Sequence, residues 1–225
     1  MTLELPLGKT LGIIGGTGSG KSTLVSLIPR LYDASTGSVS VMGADVRTWP
    51  LDQLRHVVAT VPQRASLVSG TIRSNLTWRD ESATDEELWA ALDMAQASEF
   101  VARMDGGYSA AIAQGGSNVS GGQKQRLSIA RAVYRHPEIL IFDDSFSALD
   151  FKTDREVRDA LAREAKDSTK LIVAQRIGTI MNADRIVVLD DGKVVGQGTH
   201  KELLDNCDVY RQIAESQLSQ SELTA

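Results

Sequence analysis

The stretch that decides the fold is GGTGSGKST, residues 15 to 23, which follows the apolar run Thr10 to Ile14. It matches the pattern G-x-x-x-x-G-K-[ST], and the residues after it, Lys21 to Leu31, have the apolar spacing of a helix. Glycines in such a loop let backbone N–H groups approach phosphate oxygens, and the helix dipole favours the negative charge. We therefore expect a triphosphate to contact Gly15, Gly16, Thr17, Gly18, Ser19, Gly20, Lys21, Ser22 and Thr23.

Two side chains of this loop are expected to supply its chemistry. Lys21 would neutralise the β- and γ-phosphates, and the hydroxyl of Ser22 would bind Mg²⁺. The alternative is a glycine-rich turn with an incidental lysine. The position between a predicted strand and a predicted helix argues against that alternative.

A second apolar run, Ile139 to Phe142, ends in two carboxylates, Asp143 and Asp144. Ligands bind at the carboxyl ends of the strands in an open α/β sheet. Alone, two acidic residues after a strand more often belong to a solvated loop. Beside a phosphate-binding loop, they predict that Asp143 holds Mg²⁺ directly or through water.

Short β-branched runs alternate with longer amphipathic segments, which predicts an α/β fold around a mostly parallel sheet. The predicted strands are residues 10–14, 38–42, 57–61, 139–143, 171–174 and 186–190, with a hairpin turn at Asp191-Gly192. The predicted helices are residues 21–31, 85–97, 98–104, 120–134 and 150–165, with caps at Thr84 and Ser98 and a capping box at Thr199. We expect one domain over residues 1–225, with a helical subdomain over about residues 75–136.

The composition is that of an ordinary globular protein, with 42% hydrophobic and 24% charged residues. A net charge of −5 gives no indication of the basic face that nucleic acids require, so a nucleic-acid partner is not expected. The one cysteine, Cys207, excludes an internal disulfide. No uncharged apolar stretch approaches the roughly 18 to 20 residues that span a bilayer.

The segment Ser120-Gly121-Gly122-Gln123 has two readings. A serine followed three residues later by glutamine is a capping box, which starts a helix. A serine hydroxyl and glycine N–H groups at a helix N-terminus also form a site for an anion. Both readings can hold together, and the helix predicted over residues 120–134 is needed for either.

With these motifs in place, nearly the whole chain resembles the ATP-binding cassette (ABC) ATPases. Val119 to Arg126 is similar to the family's signature motif, with Val119 where leucine is usual. Gln63 is similar to the Q-loop glutamine, Pro137 to the turn before the Walker B strand, and Ser147 to Asp150 to the D-loop. The motifs also follow one another in the family's order.

The resemblance implies a P-loop NTPase core and a head-to-tail dimer, with ATP between one chain's phosphate loop and the other's signature. The residues that would contact the partner's ATP are Ser120, Gly121, Gly122, Gln123 and Asp150. Mg²⁺ is expected at Ser22, Gln63 and Asp143, and catalytic roles are expected for Asp144, Gln175 and Gln63.

Two further segments resemble the exporter branch of the family, namely Ser69 to Leu76 and Gln114 to Gly116. In that branch they face the coupling helices of transmembrane domains, although Gln114 stands where exporters commonly carry glutamate. The resemblance implies a location on the cytoplasmic side of the cell membrane. The chain would be attached through a transmembrane domain that it does not itself contain.

Two departures from the family pattern fall in the same nucleotide site. Asp144 stands where the family has the glutamate that polarises the attacking water, and Gln175 stands where it has the switch histidine. Since the signature is intact, the chain resembles the degenerate-site half of a heterodimeric multidrug exporter. The implied partner is a different chain that has the glutamate and histidine and a degenerate signature.

A third departure lies at the start of the chain. The family stacks the adenine ring on an aromatic residue well upstream of the phosphate loop, and no aromatic residue precedes Gly15 here. The N-terminal antiparallel β subdomain is therefore expected to be truncated, and ATP affinity is expected to be reduced.

Two other functions remain as alternatives. The chain could be a non-hydrolysing module that dimerises on ATP, with Asp144 and Gln175 keeping the nucleotide bound. It could also be a chromosome-maintenance or translation ATPase of the same family. Those would need a long coiled-coil insertion between Gln63 and Ser120, or a tandem second cassette, and the sequence has neither.

Overall fold

The fold is built on a six-stranded sheet in a computed structural model that describes residues 2–78, 80 and 82–218. The strands are β1 Thr10–Gly15, β2 Ser40–Val41, β3 Ala44–Asp45, β4 Val58–Val61, β5 Gly70–Thr71, β6 Ala111–Ile112, β7 Ile139–Asp143, β8 Thr169–Val173, β9 Arg185–Asp190 and β10 Lys193–Gly198. The helices are α1 Lys21–Ser26, α2 Leu51–Val57, α3 Ile72–Thr77, α4 Asp85–Met94, α5 Ser98–Ala102, α6 Gly121–Tyr134, α7 Phe151–Glu164, α8 Ile177–Ile180, α9 His200–Asn206 and α10 Asp208–Gln217.

The sheet has the strand order β10-β9-β1-β8-β7-β4. Strands β9, β1, β8, β7 and β4 run parallel, and β10 alone pairs antiparallel with β9. Asp191 and Gly192 form the turn of that hairpin, both with positive φ, as their sequence predicted. The predicted mostly parallel α/β sheet is therefore confirmed.

Strand β1 lies at the centre of the sheet, and its residues Leu11 to Gly15 are all buried. Leu11 and Ile13 belong to one hydrophobic cluster, while Ile14 belongs to the other, because successive side chains of a strand point to opposite faces. A parallel strand covered on both faces reads as a continuous apolar run. This position brings the phosphate-binding loop to the carboxyl edge of the sheet.

Two short antiparallel pairs lie beside the main sheet, β2 with β3 and β5 with β6. The sequence predicted a single strand over residues 38–42, whereas the chain turns at Met42 and Gly43 and returns as β3. Both turn residues have positive φ, which is the backbone of a tight hairpin turn. N-terminal antiparallel strands are thus present in the fold.

Three capping boxes start helices where the sequence predicted them. Thr84 with Glu87 starts α4, Ser120 with Gln123 starts α6, and Thr199 with Glu202 starts α9. The predicted cap at Ser98 is wrong, since the N-cap of α5 is Ala97 and no side chain caps it.

The helix predicted over residues 21–31 ends at Ser26. The residues beyond it continue as single turns, with Arg30 in the left-handed region at φ 52°. Pro29 explains the early end, because proline has no N–H to donate and disfavours helical backbone at the residue before it. Among the helices of the described residues, none is long and apolar enough to cross a membrane.

Candidate functional site

The loop between β1 and α1 turns sharply at the edge of the sheet. A Cβ atom at Gly15 would lie 2.0 Å from the carbonyl oxygen of Leu189, so no larger residue fits there. Gly20 is the N-cap of α1 with φ 93°, a left-handed conformation that favours glycine. Gly15 and Gly20 are therefore required by the backbone path that carries the loop into the helix.

The crest of the loop, Gly16 to Gly18, is exposed, whereas Ser19 beneath it is buried. Ser22 and Thr23 are exposed on the first turn of α1. The first N–H groups of a helix have no partner within the helix and are free to bind an anion. The residues predicted to contact triphosphate are thus gathered in one accessible loop.

Lys21 folds back over this loop. Its Nζ donates hydrogen bonds to the carbonyl oxygens of Gly15 at 2.8 Å and Gly16 at 2.7 Å. Burial lowers the pKa of Lys21, and the nearby charges of Asp143 and Asp144 oppose that shift. Among the ion pairs of the described residues, none involves Lys21. A partly desolvated ammonium that lacks a carboxylate contact fits the binding of a phosphate group.

The hydroxyl of Ser22 and the carboxylate of Asp143 meet beside the loop. Ser22 Oγ donates to Asp143 Oδ1 at 2.8 Å, so two oxygen ligands from different elements face one point. Oxygen ligands suit Mg²⁺, which is usually bound by one or two carboxylates together with phosphate and water oxygens. The described residues contain no group of three or more His, Cys, Asp or Glu side chains placed so that they could hold a metal ion. This pair of ligands therefore fits a metal that arrives with a phosphate.

Asp144 is buried directly after β7, in the left-handed region at φ 47°. Its Oδ2 accepts two amide hydrogen bonds, from Gln63 Nε2 at 2.8 Å and from Gln175 Nε2 at 2.7 Å. Burial raises the pKa of Asp144, the two amide donors oppose that shift, and the neighbouring charge of Asp143 adds to it. The three residues with expected catalytic roles therefore meet at one atom, Oδ2 of Asp144, to which both glutamines donate.

This arrangement places Gln63 on Asp144, whereas its expected role also included binding Mg²⁺. Its amide nitrogen is engaged with Asp144 Oδ2. Ser22 instead contacts the other carboxylate at the end of β7, that of Asp143. Gln63 thus bridges from the end of β4 to the end of β7, which are hydrogen-bonded neighbours in the sheet.

The signature segment forms its capping hydrogen bonds within its own helix, α6. Ser120 Oγ accepts from the backbone N–H of Gln123 at 3.2 Å, and Gln123 Oε1 accepts from the backbone N–H of Ser120 at 2.9 Å. Ser120 and Gly121 are exposed. The hydroxyl proton of Ser120 remains available, since in this capping box its oxygen is the acceptor.

The segment that resembles the D-loop lies close to the signature. A Cβ atom at Gly122 would be 3.6 Å from the carbonyl oxygen of Ala148. Asp150 caps α7 by accepting from the N–H and the hydroxyl of Thr153, at 3.0 and 2.8 Å. These hydrogen bonds lower the pKa of Asp150, the one from the Thr153 N–H most strongly. Its carboxylate is therefore charged and exposed beside the signature.

The structure thus gathers the expected site residues into two groups. Residues 15–23, Gln63, Asp143, Asp144 and Gln175 lie along the carboxyl edge of the sheet, and residues 120–123 lie with Asp150. Within the described part of the chain, no hydrogen bond joins residues 120–123 to residues 15–23.

Sequence reasoning missed a contact at Gln175 that comes from the end of α10. Gln217 hydrogen-bonds the backbone on both sides of Arg176. The two partners are 40 and 42 residues away along the chain, so no local pattern in the sequence could have indicated them. Phe146, for which the sequence offered no role, is buried against Phe142 with ring centroids 5.0 Å apart.

A protein-family model described as "ABC transporter" matches residues 1–147. An uncharacterized ABC transporter ATP-binding protein of Mycobacterium tuberculosis is 49% identical over 213 residues, which are 93% of this chain and 36% of that protein. An ATP-dependent lipid A-core flippase of Escherichia coli is 42% identical over 221 residues, 98% of this chain and 38% of the flippase.

Among solved structures, a bacterial Atm1-family ABC exporter with ATP bound matches with a TM-score of 0.91 at 34% identity. The match covers 97% of this chain and 38% of the exporter. The chain thus spans between 36% and 38% of the length of these relatives. On both its sequence and its fold, the chain belongs to the ABC transporter family and is similar to the ATP-binding domains of that family's exporters.

Proposed function

We propose that this chain is the ATP-binding and ATP-hydrolysing domain of an ABC exporter, in which its own nucleotide site hydrolyses poorly. One observation carries the second half of the proposal. Asp144 and Gln175, the two residues of the nucleotide site that depart from the family pattern, are hydrogen-bonded to each other at 2.7 Å. The two departures therefore act on the same chemistry.

ATP would be held by the loop of residues 15–23. The backbone N–H groups of the loop and the ammonium of Lys21 would bind the phosphates, while Ser22 and Asp143 would hold Mg²⁺. Gln63 would complete the magnesium site or orient water next to it. When bound, Mg²⁺ neutralises charge on the phosphates and on the leaving group.

Asp144 would accept the proton of the attacking water inefficiently. Aspartate is one methylene shorter than glutamate, which withdraws the carboxylate by about 1.5 Å. A displacement of about 1 Å can cost about 100-fold in rate. The two amide hydrogen bonds also occupy Oδ2, an oxygen that would have to accept this proton, although burial raises the pKa of the carboxyl. Gln175 could bind a γ-phosphate oxygen, but it cannot become positively charged as a histidine can.

The second group of residues would serve a partner. Ser120, the N–H groups of Gly121 and Gly122, and Asp150 would contact ATP bound to a second ABC ATPase domain, with Gln123 holding the cap. The exposure of Ser120, Gly121 and Asp150 supports this arrangement. We propose that the partner is a different chain with an intact glutamate and histidine and a degenerate signature.

The two ATPase domains would lie on the cytoplasmic side of the cell membrane and would drive transport by acting on transmembrane domains. The segments Ser69–Leu76 and Gln114–Gly116 would face those domains. They are neighbours in the fold, because β5 at Gly70–Thr71 pairs with β6 at Ala111–Ile112. This adjacency would let one membrane segment contact both.

The test is Mg²⁺-dependent ATP turnover by the native chain and by Asp144→Glu/Gln175→His, with ATP binding measured in both. In a homodimer the same signature serves both sites, so only the water-activating residues differ. We expect the native chain to bind ATP with slow turnover and the double variant to gain about 100-fold. Native turnover near 1 s⁻¹, within the usual enzyme range, would refute the proposal.

The alternative, a non-hydrolysing module that dimerises on ATP, is favoured by the same two amide bonds to Asp144. It predicts stable ATP-dependent dimers and no gain of turnover in Asp144→Glu/Gln175→His. Turnover in a complex with a glutamate-bearing partner would exclude it.

A further inference from the structure

The end of helix α10 reaches the segment that carries Gln175. Gln217, the last residue of α10, accepts a hydrogen bond from the backbone N–H of Ile177 through Oε1 at 2.8 Å. Its Nε2 donates to the backbone carbonyl of Gln175, also at 2.8 Å. One carboxamide therefore binds a donor and an acceptor on the two sides of Arg176. We call residues 175–177 the switch segment.

These two backbone groups need a partner from outside the segment. Ile177 is the first residue of α8, and the first N–H groups of a helix have no acceptor within the helix. The N-cap of α8 is Arg176, whose side chain makes no capping hydrogen bond. The carbonyl of Gln175 lies after β8 ends and before α8 begins. Gln217 thus accepts the hydrogen bond that a capping side chain would accept at Ile177. It also donates to the Gln175 carbonyl the hydrogen bond that a neighbouring strand would donate.

Helix α7 holds the same segment from another side. The guanidinium of Arg176 lies 4.8 Å from the ring centroid of Phe151, the first residue of α7. Thr179 Oγ1 donates to the buried carboxylate of Asp154 at 3.4 Å. Helix α7 therefore contacts side chains of this region, whereas Gln217 contacts the backbone of the switch segment itself.

The position of the switch segment decides where the amide of Gln175 lies. The side-chain amide of Gln175 donates to Asp144 Oδ2 at 2.7 Å, while the backbone carbonyl of the same residue accepts from Gln217. A single residue therefore joins Gln217 to the nucleotide site. We infer that Gln217 is a positioning residue for the nucleotide site, which holds the switch segment so that Gln175 stays on Asp144. This inference rests on the proposed function, in which both residues face bound ATP.

The test compares Gln217→Ala, Gln217→Glu and Gln212→Ala in the full chain without nucleotide. Gln212 is exposed on the same helix, so Gln212→Ala repeats the change of residue type away from the switch segment. The first measurement is amide hydrogen exchange at Ile177, resolved by residue. The second is the NMR position of the side-chain amide of Gln175.

Gln217→Ala should accelerate exchange at Ile177 by about fivefold, as expected when one neutral hydrogen bond is lost. Gln217→Glu should keep that protection, because a carboxylate still accepts from the N–H. Both Gln217 variants should shift the side-chain resonance of Gln175, since neither can donate to its carbonyl. Gln212→Ala should change neither measurement.

Native exchange at Ile177 in Gln217→Ala would overturn the inference. An unchanged side-chain resonance of Gln175 in both Gln217 variants would overturn it too, because Gln217 would then have no effect on the position of Gln175. If Gln217→Ala does not fold, Gln217→Glu decides through the Gln175 resonance. Both readouts are independent of turnover, so failure of Asp144→Glu/Gln175→His to gain activity would count only against the proposed function.

Discussion

The nucleotide site and the signature segment are built from contacts of opposite range. In the nucleotide site, Ser22 reaches Asp143 across 121 residues, and Gln63 reaches Asp144 across 81. In the signature, Ser120 and Gln123 satisfy each other across three residues. The nucleotide site therefore needs the assembled sheet, whereas the signature takes its shape once α6 has formed.

The same contrast separates what each region can tolerate. A site held by distant contacts loses ligand binding when one member is removed, because no neighbour in the sequence can replace it. A helix cap can be replaced in part by water, since its backbone groups are exposed. Substitutions at four positions test this contrast, in order of decreasing expected effect.

The largest effect is expected for Lys21→Ala. Its ammonium is the cation of the phosphate loop, and a hydrogen bond to a charged group contributes about 1.5–3 kcal/mol. ATP affinity should fall about 10- to 100-fold, measured by isothermal titration calorimetry. Lys201→Ala, at an exposed position on α9, is the control. An affinity loss of the same size in both variants would mean that net charge, rather than the loop, binds ATP.

A smaller effect is expected for Ser120→Ala and Thr84→Ala, which remove equivalent capping boxes on α6 and α4. Each should lower the free energy of unfolding by about 1 kcal/mol, measured by urea denaturation. Only Ser120→Ala should also weaken ATP-dependent association in sedimentation experiments, because only the α6 cap would meet the partner's ATP. If both variants associate equally well, Ser120 only caps α6 and has no role in binding the partner's ATP.

The smallest effect is expected for Asp144→Asn, through the pH dependence of stability. Burial raises the pKa of Asp144, so the folded state favours the protonated carboxyl. The stability that this group contributes is present below its unfolded pKa and is lost as the pH rises through the folded value. Asparagine keeps an acceptor for Gln63 and Gln175 without the charge. Asp144→Asn should therefore be more stable than the native chain at neutral pH.

That gain should be smaller than the loss of a helix cap, because the two amide donors to Oδ2 offset part of the cost of burying the charge. Urea denaturation at neutral pH and at about pH 4, near the ordinary pKa of aspartate, measures it. The difference between the two chains should shrink in acid. Asp159→Asn, at an exposed position of α7, is the matched control. A gain that persists in acid, or that appears in the control as well, would contradict the assigned cause.

Local patterns in the sequence predicted the elements whose causes are local. The capping boxes at Thr84, Ser120 and Thr199 and the turn at Asp191-Gly192 all lie where the sequence predicted them. The errors occurred where the local pattern was misleading. Lys21 to Leu31 has helical spacing throughout, yet Pro29 ends the helix early.

The candidate site was predictable as a set of residues and much less as a set of contacts. The motifs indicated that Gln63, Asp144 and Gln175 belong to one site, but not that both glutamines donate to the same oxygen of Asp144. Hydrogen bonds of this kind depend on which strand ends are neighbours. The order of strands in the sheet is not written in any short segment.

The sequence by itself determined the phosphate loop, the capped signature helix and the family, because each depends on residues within a few positions of one another or on the order of motifs. Only the tertiary structure decided that Ser22 meets Asp143, that two amides share Asp144, and that Gln217 binds the switch segment. The physical reason is that parallel strands join residues far apart in the chain at one edge of the sheet. A side chain there finds its partner by the packing of whole elements.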